Sequence, residues 1–168
     1  MENKYAFLMI DYETPELIKE LQDSISSNEI YDNDKHEYGI EKESHVTLVP
    51  CLDNDTDCED LKKYLLPLSK YEIVLTNISY FKNDDYDVLK CDANSDFLDK
   101  TNKEIAKDFK LHTEFKDYHP HMTIAYLKHG IVDKYTKDCL DKLIVLKPKS
   151  FRFSFYDENG EQKNILFK

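Results

Sequence analysis

The sequence predicts an α+β fold, a bilobal arrangement of two pseudo-symmetric halves of antiparallel sheet with outer helices around a central cleft. Strand-like and helical segments follow one another in the order β-α-β-α-β-β and then α-β-α-β-β, so the chain reads as two similar halves. Each half contains one strand in which His and Thr are separated by a single aliphatic residue. The chain has 168 residues and no linker-like segment, so we expect a single domain over residues 1–168.

The first half is predicted to begin with a strand, a helix, a second strand and a second helix. Residues 5–12 form a nearly continuous apolar run, which is typical of a buried central strand. Thr14-Pro15-Glu16 supplies an N-cap, a first-turn proline and an acidic residue for a helix over 15–26, in which Leu and Ile recur at helical spacing. The remaining segments are a polar, acidic loop over 26–38, a strand over 45–50 and a short helix over 57–66.

The first half is predicted to end with a hairpin, and the second half with another. Alternating, β-branched segments joined by an Asp-Asp turn indicate the first hairpin, and an Asn-Gly pair indicates the second. Ser95 is a suitable cap for the helix that follows the first hairpin. The predicted elements are strands 71–81 and 86–91, a helix over 95–109, the strand containing His121, a helix over 133–143, and strands 149–156 and 162–167.

The acidic composition argues against a protein that binds long nucleic acids. The formal net charge is −11, from 34 acidic and 23 basic residues, and Arg152 is the single arginine. Binding along a nucleic acid requires a basic surface that neutralises phosphates. A small phosphate-containing ligand, held in a pocket by hydroxyl groups and imidazoles, remains compatible with this composition.

We expect the protein to be soluble and cytoplasmic. No apolar run approaches the roughly 20 residues of a membrane helix. The first four residues lead directly into an apolar strand without the small-residue cleavage site of a signal peptide. The four cysteines have no CxxC spacing, so reduced thiols are favoured, with disulfides or zinc ligation as alternatives.

The signals for a metal site are weak, and we expect no metal and no cofactor. His119 and His121 stand on either side of a proline, without a third ligand at suitable spacing. The Asp-rich segment 53–60 lacks the glycine and the terminal Glu of a calcium loop. The remaining histidines lie in polar surroundings and are expected to be solvated: His36, His112 and His129.

Two triplets, His45-Val46-Thr47 and His121-Met122-Thr123, carry the most specific chemical signal in the sequence. Residues i and i+2 of a strand project to the same face, so each imidazole is accompanied by a hydroxyl group. Two imidazoles at one phosphodiester can divide general base and general acid work, and the Thr hydroxyl groups can bind the non-bridging oxygens. A single such triplet would more often be structural, but two copies with matching flanks favour catalysis.

Together with their flanks, the triplets resemble the 2H phosphoesterase superfamily, and most of all its viral anti-CBASS branch. The flanking segments are Glu37-Tyr38-Gly39-Ile40-Glu41-Lys42-Glu43, then Tyr86-Asp87-Val88-Leu89-Lys90, and then Pro120 to Leu127. Enzymes of that branch degrade the cyclic oligonucleotide messengers of host antiviral signalling. The resemblance implies a bilobal fold and metal-independent attack of a ribose 2′-hydroxyl on a 3′–5′ phosphodiester. It also implies action in the host-cell cytoplasm.

The resemblance also implies roles for individual residues. His45 and His121 become the catalytic pair, and Thr47 and Thr123 the residues that hold the phosphate. Family members also enclose the nucleobases with aromatic residues and a carboxylate, often including Trp, which this chain lacks. The corresponding candidates here, each with core or surface packing as the alternative, are Tyr12, Phe81, Glu161 and Phe167.

Two other functions remain open at this point. The first is a 2H enzyme that acts on RNA 2′,3′-cyclic phosphates or on 2′–5′ oligoadenylates. The second is a sponge that binds a cyclic nucleotide and releases it intact, although such a protein would not need two imidazoles. The sequence leaves undecided the preferred base, the ring size, the oligomeric state and which His is the acid.

Overall fold

A computed structural model of the protein describes residues 4–32, 38–113 and 117–167. Within those residues the chain forms eight strands, three α-helices and three single-turn 3₁₀ segments. The strands are β1 (Ala6–Asp11), β2 (His45–Leu52), β3 (Ile73–Lys82), β4 (Asp87–Asn94), β5 (His121–Leu127), β6 (Ile144–Leu146), β7 (Ser150–Tyr156) and β8 (Gln162–Phe167). The α-helices are α1 (Glu16–Ser24), α2 (Lys62–Leu68) and α3 (Asp96–Asp108).

All eight strands belong to one antiparallel sheet with the order β6-β3-β4-β5-β2-β1-β7-β8. This order divides at its centre into two halves, β5-β4-β3-β6 and β2-β1-β7-β8, that match strand for strand. In each half the strand carrying the His and Thr residues is the innermost one. The α+β fold class is therefore confirmed, and the two halves share a continuous sheet.

In the described part of the chain, seven of the eight strands and the three α-helices form where alternation and helical spacing predicted them, whereas β6 was not predicted. Residues of β1 alternate between buried and partly exposed, with Leu8 at 0% and Ile10 at 1% exposure. The helices add Ile18, Leu98 and Ile105 to the same hydrophobic core. Most of the apolar side chains therefore lie on one face of the sheet, which leaves polar side chains on the other.

The helix ends differ in detail from the prediction. The Ser95 hydroxyl accepts a hydrogen bond from the Leu98 N–H at 3.3 Å, as expected for an N-cap. Thr14 does not cap α1, because its hydroxyl lies 2.8 Å from the hydroxyl of Ser44 and Pro15 occupies the cap position. The helix predicted over 57–66 begins as a 3₁₀ turn, Cys58–Leu61, and continues as α2.

The helix predicted over 133–143 is wrong. The chain there makes one 3₁₀ turn, Val132–Lys134, and then runs beside the edge of β3. Backbone hydrogen bonds of 2.9 Å join Lys137 and Ile78 in both directions, and the Leu140 N–H donates to Thr76 at 2.9 Å. The backbone groups of this segment bind the exposed edge of β3 instead of forming the hydrogen bonds of a helix. Pairing with a distant strand therefore prevails over the helical spacing of the local sequence.

The described part of the loop predicted over 26–38 packs against β5. This part contains the 3₁₀ turn Ser27–Glu29, and Ile30 forms an isolated bridge to Leu127. Predictions that fall on His36 and Glu37 lie outside the described residues. No helix in the described part of the chain is long and apolar enough to cross a membrane.

Candidate active site

The two triplets meet where the halves of the sheet join. Val46 of β2 pairs with Met122 of β5, and both side chains are fully buried. In antiparallel register, the residues on either side of this pair oppose each other crosswise. His45 therefore faces Thr123, and Thr47 faces His121. These four side chains are partly exposed and share the polar face, so the structure brings the predicted constellation together.

The two imidazoles are held in the same way. His45 Nδ1 lies 2.8 Å from the carbonyl oxygen of Glu43, and His121 Nδ1 lies 2.8 Å from that of His119. A carbonyl oxygen can only accept, so each Nδ1 carries the proton and donates it. Each Nε2 is therefore the nitrogen that can take or give a proton at a substrate.

A buried lysine lies beside the second triplet. Lys90 of β4 is opposite Thr123, and its residue exposure is 5%. Its ammonium group forms an ion pair with Asp92, donates to the Ser79 hydroxyl at 2.6 Å, and lies 4.3 Å from the ring centroid of Phe81. These three contacts fix the position of the charge on the polar face.

Asp92 lies opposite His121 and is held by three neighbours. Besides the ion pair with Lys90, it accepts hydrogen bonds from Asn77 at 2.7 Å and from Ser79 at 2.9 Å. Burial opposes ionisation of this carboxyl group, but these partners outweigh it and hold its pKa below the usual range.

The first triplet has a corresponding carboxylate and cation. Asp11 of β1 lies opposite His45, as Asp92 does opposite His121. Arg152 donates one nitrogen to Asp11 at 2.7 Å and another to Glu43 at 2.8 Å. Glu43 is also the residue whose carbonyl oxygen orients His45. One guanidinium group therefore binds both the carboxylate opposite His45 and the residue that holds its ring.

The environment of His121 favours its neutral form. Burial is the largest cause and lowers the pKa of this imidazole below its ordinary value of 6.5. The nearby charges of Lys90 and His45 lower it further, while the carbonyl oxygen of His119 and the carboxylate of Asp92 act in the opposite direction. Near neutral pH, His121 is therefore suited to accept a proton.

Phe81 is the predicted base-contacting residue that the structure places at the triplets. Its ring lies edge-on to the His121 imidazole, with centroids 4.9 Å apart and planes at 83°. The residue is 37% exposed, so part of the ring is open to a ligand. An aromatic ring with an open face can stack with another flat ring.

The other three base-contacting candidates lie away from the cleft. Tyr12 is 3% exposed and packs in the core, so it offers no open ring face, and burial raises the pKa of its hydroxyl. Among the described residues its hydroxyl has no hydrogen-bond partner. Phe167 pairs with the buried Phe151, so both side chains lie on the core face of the sheet, opposite the polar face. Glu161 follows the far end of β7, roughly 20 Å along the strand from the site.

Further predictions about histidines and cysteines can be compared with the structure. His112 and His129 are not simply solvated, because they contact Asp53 at 3.0 Å and Asp87 at 3.1 Å. In residues 4–32, 38–113 and 117–167, no group of three or more His, Cys, Asp or Glu side chains is arranged around a metal position. The cysteines are free thiols: Cys51, Cys58, Cys91 and Cys139.

Sequence reasoning missed the carboxylates and cations that support the triplets. Lys90 and Asp92 are separated by one residue of β4, and this spacing predicts a shared face. The sequence alone could therefore have placed Lys90 and Asp92 on the same face of β4. By contrast, the contacts of Arg152 with Asp11 and Glu43 join positions more than 100 residues apart, and nothing local in the sequence indicates them.

Comparison with known families identifies the group to which this arrangement belongs. Residues 12–155 match the 2′-5′ RNA ligase superfamily and include both triplets. The chain belongs to this superfamily. It is therefore a 2H-type phosphoesterase, an enzyme that cleaves phosphodiester bonds. No curated protein sequence matches the chain.

Solved structures of low sequence identity share the fold. Usb1 from Kluyveromyces marxianus is 10% identical, with a TM-score of 0.56 over 95% of this chain and 96% of that one. E. coli LigT in complex with 3′-AMP is 14% identical, with a TM-score of 0.54 over 99% and 97%. A structure described as a phosphoesterase is 15% identical, with a TM-score of 0.53 over 99% and 97%.

Proposed function

We propose that this 2H phosphoesterase opens cyclic oligonucleotides at a 3′–5′ phosphodiester without a metal ion, and thereby removes messengers of host antiviral signalling. In the reaction, one neutral imidazole takes the proton of the ribose 2′-hydroxyl as its oxygen attacks phosphorus. The other, protonated imidazole gives a proton to the leaving 5′-oxygen. The products of this step are a 2′,3′-cyclic phosphate and a free 5′-hydroxyl group.

The reciprocal facing of His45 with Thr123 and of Thr47 with His121 carries this proposal. A phosphate bound between the two triplets would have Nε2 of His45 on one side and Nε2 of His121 on the other. In-line displacement requires this arrangement, because the attacking and leaving oxygens lie on opposite sides of phosphorus. The two hydroxyl groups are placed to donate to its non-bridging oxygens, where charge develops. We propose these four residues as the catalytic and phosphate-binding set.

The proposed substrate class rests on the polar face and on the resemblance to the anti-CBASS branch. Phe81 provides a partly open aromatic ring beside His121 for one nucleobase. The net charge of −11 disfavours a long polyanion, and the cations nearest the triplets are already paired with carboxylates. A small ligand with few phosphates fits this balance better. The corresponding location would be the host-cell cytoplasm.

The test is chromatography of the products from a substrate panel in excess EDTA. The panel contains cyclic dinucleotides, cyclic trinucleotides, linear 2′–5′ oligoadenylate and 2′,3′-cyclic AMP. We expect cleavage of at least one cyclic oligonucleotide, lost in His121→Ala and retained in His112→Ala. That control removes an imidazole whose contact, Asp53, lies beyond the far end of β2.

A second candidate is an enzyme that acts on 2′,3′-cyclic phosphates or 2′–5′ linkages, which the name of the superfamily favours. Cleavage of only 2′,3′-cyclic AMP or of the 2′–5′ linkage would establish that candidate instead. Binding of a cyclic oligonucleotide that is recovered intact after denaturation would identify a sponge. Activity abolished by EDTA would contradict the metal-independent mechanism.

A further inference from the structure

The two halves of the active site differ in the residue that lies opposite each Thr on the neighbouring strand. In the second half, Lys90 lies opposite Thr123, whereas in the first half Met9 lies opposite Thr47. The His and Asp positions are the same in both halves. The pseudo-symmetry is therefore broken by a buried ammonium group on one side and a thioether on the other.

The charges around the two imidazoles differ as a result. Around His121, the charges on adjacent strands are one cation and one carboxylate, Lys90 and Asp92, with His45 across the cleft. Around His45, the single cation Arg152 bridges two carboxylates, Asp11 and Glu43. The first cluster is neutral in sum and the second has a charge of −1.

A third carboxylate adds to the negative side. Glu41 accepts a hydrogen bond from the backbone N–H of Glu43 at 3.2 Å, close to the residue that orients His45. An imidazolium is stabilised by nearby negative charge and destabilised by a nearby cation. The first triplet therefore has the more negative surroundings, whereas the second has a buried cation fixed beside it.

Lys90 itself is poorly suited to bind the substrate directly. Its three N–H directions are taken by Asp92, by Ser79 and by the face of the Phe81 ring. With only 7% of its side chain exposed, the ammonium group cannot turn towards a phosphate without breaking these contacts. Its charge therefore acts on its neighbours from a fixed position.

We infer that Lys90 is a positioning residue that assigns the two imidazoles their roles, with His121 as the general base and His45 as the general acid. In the ring-opening step, His121 Nε2 takes the 2′-hydroxyl proton, the O2′–P bond forms and the P–O5′ bond breaks. His45 Nε2–H then gives its proton to O5′. If the 2′,3′-cyclic phosphate is hydrolysed next, His45 takes a proton from water and His121 returns one to O2′.

This inference rests on the proposed acid–base function of the two imidazoles. The lowered pKa of His121 agrees with it, since a base must be neutral before the reaction. It goes beyond the proposed function in naming which imidazole performs which half of the proton transfer, and in giving a role to a residue that does not touch the substrate.

The role assignment is tested with a bridging-sulfur substrate. In a ribonucleotide linkage whose 5′-oxygen is replaced by sulfur, the thiolate leaves without protonation and needs no general acid. We expect His45→Ala to recover most of the roughly 10²–10⁴-fold contribution of an acid on this substrate. We expect His121→Ala to remain inactive on it. The reverse pattern, or equal recovery in both variants, would overturn the assignment.

The substrate is prepared in two forms, so that failure of this inference differs from failure of the proposed function. One form is a cyclic dinucleotide and the other is a linear diribonucleotide, each with a bridging sulfur. Cleavage of only the linear form would contradict the cyclic-oligonucleotide proposal while still reporting which imidazole is the acid.

The role of Lys90 is tested by titrating the imidazole ring protons in NMR spectra, which requires no activity. In the unmodified protein, we expect His121 to titrate below its ordinary pKa of 6.5, because burial and the charge of Lys90 both lower that pKa. Lys90→Met, which copies the residue of the first half, should raise the pKa of His121, and Asp92→Asn should lower it. Lys90→Arg should keep it close to the original value, as should the control Lys100→Met on the exposed face of α3.

Opposite shifts in the two variants distinguish an electrostatic role from a structural one. If Lys90 only supported the fold, Lys90→Met and Asp92→Asn would perturb His121 in the same direction, and the inference would fail. It would also fail if His121 titrated above 6.5 in the unmodified protein. Should Lys90→Met not fold, Asp92→Asn and the bridging-sulfur substrate still decide the question.

Discussion

Asp11, which lies opposite His45, is joined to Arg152 of the neighbouring strand by a 2.7 Å ion pair. The same guanidinium group donates to Glu43 at 2.8 Å, and the carbonyl oxygen of Glu43 holds the His45 ring. The single arginine of the chain thus links two carboxylates that belong to different segments. The orientation of one imidazole depends on this link.

Arg152→Lys is expected to reduce kcat/KM by about 5-fold, or about 1 kcal/mol. The ammonium group of a lysine can bind one of the two carboxylates, but it lacks the planar guanidinium that donates to Asp11 and Glu43 at the same time. Steady-state kinetics on the cleaved substrate measure the effect. Glu43→Gln, which keeps the contact with Asp11, should lose less activity. An Arg152→Lys enzyme with unchanged kcat/KM would show that the double contact of the guanidinium group does not orient His45.

His45→Ala and His121→Ala are each expected to lower kcat by roughly 10²–10⁴-fold, because each removes one proton-transfer group. The double variant should lose much less than the product of the two effects, since the two imidazoles act as a unit. Single-turnover rates measure the chemical step, and His112→Ala is the control. A double variant whose losses multiply would indicate that the imidazoles act independently.

The pH dependence follows from the lowered pKa of His121. A base with a pKa below its ordinary 6.5 stays neutral as the pH falls from 8 towards 6.5, so its activity is retained over that range. We expect the acidic limb of the kcat/KM profile to have its midpoint below pH 6.5. A midpoint above pH 6.5 would mean that a different group limits the reaction. The Lys90→Met profile should have this limb displaced to higher pH.

Removing the charge of Lys90 should destabilise the protein, since Asp92 then loses its partner on a largely buried face. We expect Lys90→Met to lower the free energy of unfolding by about 3 kcal/mol, below the upper values for buried pairs because Asp92 is partly exposed. The double variant Lys90→Met/Asp92→Asn should lose less, because it leaves no unpaired charge. Denaturant unfolding measures both, and equal losses would contradict this account.

Tyr12→Phe is expected to leave the free energy of unfolding unchanged or to raise it by up to about 1 kcal/mol. The hydroxyl group of Tyr12 is buried and has no hydrogen-bond partner among the described residues, so its removal takes away a desolvated polar group. Tyr12→Ala should instead cost about 3–5 kcal/mol through the cavity it leaves. Thermal and denaturant unfolding of both variants check this, and a strongly destabilised Tyr12→Phe would reveal a hydrogen bond to the hydroxyl group.

Local patterns predicted the elements that the site needs, and they failed where a sheet edge was involved. Alternation is a property of the strand backbone, so it correctly assigned both His-x-Thr strands. The segment 133–143 has helical spacing but lies beside β3, whose edge carbonyl and N–H groups bind it. Local sequence contains no information about an edge formed by residues some 60 positions away.

The sequence by itself determined the two triplets, the strand on which each lies and the shared face of each His with its Thr, because these follow from backbone periodicity. Only the tertiary structure decided that Val46 pairs with Met122, which turns two separate triplets into one crossed site. It also decided that Tyr12 is buried and that Lys90 and Arg152 each meet a carboxylate beside an imidazole. These relationships join distant strands, and their energies depend on burial and distance, which exist only after the chain has folded.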